Sequence, residues 1–211
     1  MTDIEQRVLS GDLYDPNDPA ILAIQTQAIQ TMYEYNQTRA GDERRPILLK
    51  QMLAACGKGC YIEAPFHANW GGRHVHFGDQ IYANFNLTMV DDGEIFVGSQ
   101  TMLGPNVTLA TAGHPVLPEL RAKGYQYNLP IHIGQNRWLG ANVTVLPGVT
   151  IGDNTVVGAG SVVTKDLPAN VVAVGTPCRV LRAIGPNDRN VYRPGRAIPP
   201  ELLASLDQPN C

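Results

Sequence analysis

In the second half of the chain one aliphatic residue returns every six positions: Ile133, Leu139, Val145, Ile151, Val157 and Val163. Gly134, Gly140, Gly152 and Gly158 recur directly behind four of them. Upstream, Phe77, Ala83 and Met89 keep the same interval, as do Val97, Leu103 and Leu109 after a two-residue slip near Gly93. Ile133 comes 24 residues after Leu109, a multiple of six, so the segment between them is an excursion from a lattice that otherwise continues. A period of six fits neither a helix, at about 3.6, nor a strand, at about 2. It suits a solenoid whose units each supply a short strand and a turn, with the aliphatic inward and the glycine allowing the corner. The predicted fold is an all-β solenoid, a parallel β-helix, with a loop excursion near residues 110–131.

Residues 1–57 read instead as helical. Thr2 with Glu5 fits a capping box, and Asp18-Pro19 fits an N-cap followed by proline at the first helical position. Ile21, Leu22, Ile24, Ala28, Ile29 and Met32 form an apolar stripe at helical spacing, and a further helix is expected from near Pro46 to Cys56, stopping at Gly57. The chain thus divides into a helical cap (1–57), a β-helix (58–185) and a tail (186–211). The tail is rich in proline and arginine, with room for one short helix after Pro199-Pro200.

At 211 residues the chain is long enough to bury one substantial core. A formal net charge of -3 gives no global attraction to nucleic acid or an anionic membrane, so an anionic ligand must meet a local basic cluster. The N-terminus lacks the apolar core of a signal peptide and no run of about 18 apolar residues follows, which sets the expectation of a soluble cytoplasmic protein. Of the four cysteines, Cys56, Cys60, Cys178 and Cys211, only the first two are close in sequence. Their segment, CGKGC, lacks a second Cys/His pair to complete a zinc site. His74 and His76 share a face if they lie on a strand, with His67 and His132 as distant further candidates; no metal is expected.

Four stretches narrow the function: YANFNLTMVDD (82–92), LGPNVTLATAGHP (103–115), NRWLGANVTVLPGVTIGDNTVVGAGSVVTKDLP (136–168) and GTPCRVLR (175–182). Together they resemble the hexapeptide-repeat acyltransferases, particularly the galactoside and maltose O-acetyltransferases, over roughly residues 5–185. The resemblance implies a left-handed parallel β-helix, a homotrimer, and acetyl-CoA bound as cosubstrate in the cleft between adjacent subunits.

Moving an acetyl group from a thioester to an alcohol needs a base for the hydroxyl proton, and a histidine suits that task. His114 stands in the excursion, with Gly113 and Pro115 restricting the backbone on both sides, and matches the family's catalytic base. Asn84 matches an active-site asparagine, placed to orient the acceptor or stabilise the tetrahedral intermediate. Asn86 is the better candidate for an asparagine ladder along a corner. No serine or cysteine lies in the His114 loop or the YANFN motif as an acyl-enzyme nucleophile, so direct transfer is expected.

The resemblance assigns Trp138, Ala141 and Ala159 to the pantetheine arm of the cosubstrate, and Asn84, Thr164, Lys165, Arg179 and Arg182 to its binding, the cations facing phosphates. On the acceptor side it points to Asn69, where relatives carry Ser or Asp, and to Asp92. Gln126 falls where an apolar residue lines the pocket, and either Asp15 or Asp18 takes the place of an N-terminal acid. These departures leave the acceptor open: a sugar or sugar-like hydroxyl leads, a xenobiotic acceptor such as an antibiotic is second, and a non-catalytic trimeric module is third. A γ-class carbonic anhydrase, which shares the fold, would have no use for the cosubstrate residues or the His114 loop.

Overall fold

The computed structural model describes residues 3–206, so Thr2 of the expected capping box and Cys211 lie outside the described residues. Three sheets of five, seven and five strands form the faces of a prism. All pairings between successive coils are parallel until Arg179–Ala183, which turns back antiparallel on Val171–Val174. The six-residue lattice is the register itself. Phe77, Val97, Ile133 and Ile151 stack on the first face. Ala83, Leu103, Leu139 and Val157 stack on the second, and Met89, Leu109, Val145 and Val163 on the third. Every one of these side chains is at most 4% exposed, so one aliphatic per strand fills the prism. Burying each removes its apolar surface from water at roughly 25 cal/mol per Å².

The repeat glycines do not make the corners, as the sequence pattern had implied. The left-handed positions belong mostly to amides two residues further on: Asn86, Asn106, Asn136, Asn142, Asn154 and Asn170 all have φ between 54° and 60°. The glycines sit where the next coil comes close. A Cβ on Gly104 would stand 2.8 Å from the Ala141 nitrogen, and one on Gly140 2.7 Å from the Ala159 nitrogen. Asparagine tolerates the left-handed conformation and links coils as well. Asn86 donates to Asn106 at 3.0 Å and Asn106 to Asn142 at 3.1 Å, the expected ladder.

The N-terminal segment supplies three helices: α1 (Asp3–Leu9), α2 (Pro19–Asn36) and α3 (Arg45–Met52). Asp18 caps α2 by accepting the Ala20 N–H at 3.0 Å, with Pro19 in the first turn. Ile21 and Met32 of the apolar stripe are buried, Ile24, Ala28 and Ile29 half-buried, while Leu22 is exposed. The helix expected to reach Cys56 ends at Met52; Leu53 turns extended, and Ala55–Cys56 joins the first face as its outermost strand. Parallel pairing of Cys56 with Phe77 overrides the local helical tendency.

An open solenoid end exposes unpaired backbone groups and must be covered. Asn36 does this for the strand Phe66–Ala68: its amide donates to the Phe66 oxygen at 2.7 Å and accepts the Phe66 N–H at 2.8 Å. Arg45, buried nearby, lies over the rings of Tyr35 and Tyr61 at 4.6 and 4.8 Å. In the tail a short exposed helix forms at Pro200–Leu206, as the sequence had allowed.

Candidate active site

The departures from six fall at one corner. From the third face to the first, Ala68 to Phe77 takes nine steps, Met89 to Val97 eight, and Leu109 to Ile133 twenty-four. These insertions lie on consecutive coils, so they stack and bring Asn69, Asp92 and Gln126 together. The Asn69 amide donates to Asp92 Oδ2 at 2.9 Å. Gln126 Nε2 approaches Asp92 Oδ1 at 3.0 Å, and Trp70 Nε1 approaches the same oxygen at 3.4 Å. Asp92 is buried and Asn69 exposed, so the amide is the part of this cluster that meets solvent.

The excursion is a small hairpin. Ala112–Gly113 pairs antiparallel with Tyr127–Asn128, and a turn of helix, Pro118–Ala122, spans the gap. His114 follows directly and is exposed, with Nδ1 2.9 Å from the Tyr125 carbonyl oxygen. A carbonyl only accepts, so Nδ1 carries the proton and Nε2 presents a lone pair. Gly113 is there for proximity: a Cβ would stand 2.7 Å from Tyr127 Cζ, whereas its φ lies outside the left-handed region.

Of the two N-terminal acids, Asp18 has both oxygens engaged, by the α2 cap and by Arg7 at 2.7 Å. The Ala20 N–H and then Arg7 hold its carboxyl below the usual carboxylate range. Asp15 is exposed, its Oδ1 takes the Asn17 amides, and it adjoins Tyr14, whose main chain bridges to Gln126. Burial pushes the Tyr14 phenol up to about 12 and the Asp91 carboxyl, which accepts the Trp70 and Gly72 N–H groups, up to about 7.

A second group gathers at the corner from the second face to the third. Asn84 holds the position that Gly104, Gly140 and Gly158 hold in later coils, one residue past the buried aliphatic. Those glycines floor a cleft of about 470 Å³ lined also by Trp138, Ala141 and Ala159. Trp138 stands outward on the second face between Met102 and Val156. The Asn84 Oδ1 accepts the Phe85 N–H at 2.8 Å. Farther along, Lys165 and Arg179 line a recess of about 190 Å³, with Thr164 adjoining Lys165 in sequence. Arg182 is held by a bidentate pair with Asp188 at 2.7 and 2.8 Å.

His114 therefore does not line the Asn84 cleft of its own chain, since the third face separates the two corners. The other histidines are scattered. His67 lies on the third face, while His76 and His132 on the first are separated by Phe96, stacked between them at 4.4 and 4.8 Å. The His74 Nδ1–H donates to the Asp91 main-chain oxygen at 2.7 Å, and burial lowers its pKa. Among the described residues no group of three His, Cys, Asp or Glu is placed to hold a metal ion, and no helix is long and apolar enough to cross a membrane.

Sequence reading missed Tyr14, Asn128, Trp70 and Tyr125. Asparagine in a position otherwise held by glycine was the available signal for Asn84 as a cleft residue; for the four missed residues no spacing rule exists.

Residues 7–57 match the maltose acetyltransferase hexapeptide capping motif and residues 130–165 the bacterial transferase hexapeptide, six repeats. A galactoside O-acetyltransferase of Lactococcus lactis is 53% identical over 92% of this chain and 94% of its own length. The chain belongs to the hexapeptide-repeat acetyltransferases. Among solved structures, this acetyltransferase resembles a galactoside acetyltransferase in complex with coenzyme A, with 42% identity, a TM-score of 0.89, and coverage of 94% of this chain and 100% of that one. It also resembles a hexapeptide-repeat acetyltransferase of Vibrio cholerae complexed with acetyl coenzyme A, with 32% identity, a TM-score of 0.81, and coverage of 88% and 100%.

Proposed function

We propose that this acetyltransferase moves the acetyl group of acetyl-CoA directly to a hydroxyl of a sugar or sugar-like small molecule, with His114 as general base. The observation that carries the reading is the Nδ1–H to Tyr125 carbonyl bond, which leaves Nε2 as a fixed acceptor for a hydroxyl proton. As Nε2 takes that proton, the alcohol oxygen attacks the thioester carbonyl. The tetrahedral intermediate then collapses with loss of the CoA sulfur, which receives the proton back from His114. Asn84, at the end of the cleft, is suited to donate to the developing oxyanion or to orient the acceptor.

The cleft favours a thin apolar arm: glycines and Ala141 and Ala159 keep it open, and the Trp138 indole gives a flat wall. Thr164, Lys165 and Arg179 follow toward the phosphates, and Arg182 joins them only by exchanging Asp188 for phosphate. The acceptor side is polar. Asn69 is exposed, Asp92 and Gln126 back it, and Asp15 rather than Asp18 has a carboxylate to offer a polyol. The assembly belongs to the same reading: because His114 and the Asn84 cleft stand at different corners of one prism, a complete site takes two chains, in keeping with a homotrimer. The cytoplasmic location expected from the sequence goes with it.

The test is release of free CoA from acetyl-CoA across thiogalactosides, maltose, glucose, amino sugars and chloramphenicol, with wild type beside His114→Ala. Turnover with a sugar that falls about 10²-fold or more in the variant is the expected result. Turnover with chloramphenicol alone makes the acceptor a xenobiotic. Absence of acetyl-CoA binding defeats the reading in favour of a structural module.

A further inference from the structure

The carbonyl that faces His114 belongs to the peptide group joining Tyr125 to Gln126, and the N–H of that same group donates to the Tyr14 main-chain oxygen at 3.1 Å. A trans peptide is planar, with its C=O and N–H directed to opposite sides. The bond to Tyr14 therefore sets the direction of the carbonyl that orients the imidazole. The return bond, from the Tyr14 N–H to the Gln126 oxygen at 2.9 Å, closes the bridge.

The hairpin that carries His114 is too short to hold this geometry alone, with residue pairs at Ala112–Asn128 and Gly113–Tyr127. Its stiffness comes from beneath. Gln126 and Asn128 alternate inward with Tyr125 and Tyr127 outward, the strand period of two. Both amides reach the Tyr14 hydroxyl, at 2.8 Å from Gln126 and 3.0 Å from Asn128, inside a pocket where Tyr14 is 3% exposed. Asn128 also donates to the Val8 oxygen of α1 at 2.9 Å, and Gln126 approaches Asp92 at 3.0 Å. The N-terminal segment, the hairpin and the solenoid corner are thus tied at one buried hydroxyl.

We propose that Tyr14 is a positioning residue for His114: its main chain holds the Tyr125–Gln126 peptide plane and its hydroxyl ties Gln126 and Asn128, keeping the imidazole proton on Nδ1 and the lone pair on Nε2. The inference rests on the reading of His114 as general base. A buried polar knot of this kind is effective only when complete, because each unpaired amide left behind is costly.

The experiment is Tyr14→Phe, which keeps the ring and deletes the hydroxyl, assayed in the full-length protein with the acceptor found by the panel. The expected result is a fall in kcat of about 10-fold with the KM for acetyl-CoA unchanged. Nitrogen NMR of the histidine rings, with the His114 signal assigned by its loss in His114→Ala, is expected to change from the Nδ1–H tautomer to a mixture. An unchanged tautomer, or a loss confined to the KM for acetyl-CoA, overturns the proposal. If Tyr14→Phe does not fold, Gln126→Met, which keeps the side-chain length and deletes the amide, takes its place with the same two outcomes. The underlying base reading fails separately, by full turnover in His114→Ala.

Discussion

The ring of Tyr127 lies across the backbone of Gly113, so closely that a methyl group on the glycine would stand 2.7 Å from Cζ and 2.8 Å from the phenol oxygen. The residue before the proposed base thus takes its identity from a neighbour across the hairpin. Gly113→Ala must displace the Tyr127 ring or open the strand pair, and a shift of about 1 Å in a catalytic group is enough to lower turnover by about 10²-fold. The expected outcome is a loss of kcat in Gly113→Ala, recovered in large part by adding Tyr127→Ala, which removes the obstructing ring. Steady-state kinetics of the single and double variants check it; no recovery in the double variant would count against the steric explanation.

The Asn84 cleft predicts a separation between donor binding and folding. Ala159 is exposed and lines the cleft. Ala159→Leu is expected to weaken acetyl-CoA binding at least about 10-fold by filling the arm's path, with the melting temperature within a few degrees of wild type. Trp138→Ala removes a wall and is expected to weaken binding by a smaller factor. Calorimetric titration with acetyl-CoA beside thermal melts decides between this and a purely structural column.

At the left-handed corner, Asn106 has a φ of 59° and makes two ladder contacts. Asn106→Ala loses both and keeps the strained conformation, a cost of about 2 kcal/mol. Asn106→Gly loses the contacts alone. The expected order of stability is Asn, then Gly, then Ala, measured by chemical denaturation. Equal stability of the two variants would mean that the backbone conformation contributes little.

Asp91 predicts a dependence on pH. Burial raises its folded-state value to about 7, above the ordinary 3.8, so between those limits the folded protein holds a proton that the unfolded chain has released. Its contribution to stability is full below the unfolded value and is lost as pH rises toward about 7. Asp91→Asn lacks this titration. Across pH 4 to 7 the stability of wild type is expected to fall relative to the variant, in denaturation series run side by side. Parallel curves would show that Asp91 is ionised throughout.

Much of the fold was legible as spacing. The six-residue interval names the inward residue of each strand, and the 24-residue return from Leu109 to Ile133 marks the excursion before any coordinate is known. His114 stood out because its segment breaks the repeat, whereas Asn84, Trp138, Ala141 and Ala159 were named from the family resemblance alone; the structure lines one cleft with those four. The repeat glycines were misread as corners: a recurring glycine signals either a special φ or a close approach, and distances alone distinguish them. Helical spacing likewise overran at Cys56, where a parallel partner decided the conformation.

By itself, the sequence determined the period, and with it the solenoid, its inward column and the two places where the pattern breaks. Only the tertiary structure decided what meets at those breaks. That Asn69, Asp92 and Gln126 form one cluster, that Asp18 serves the helix while Asp15 stays exposed, and that Tyr14 reaches the peptide facing His114 are contacts between coils or across long separations. Tyr14 and Gln126 are 112 residues apart, and a local pattern carries no information about partners at that distance. A repeat is written by each coil's need to bury one aliphatic, whereas a site is written by side chains that different coils happen to bring to one corner.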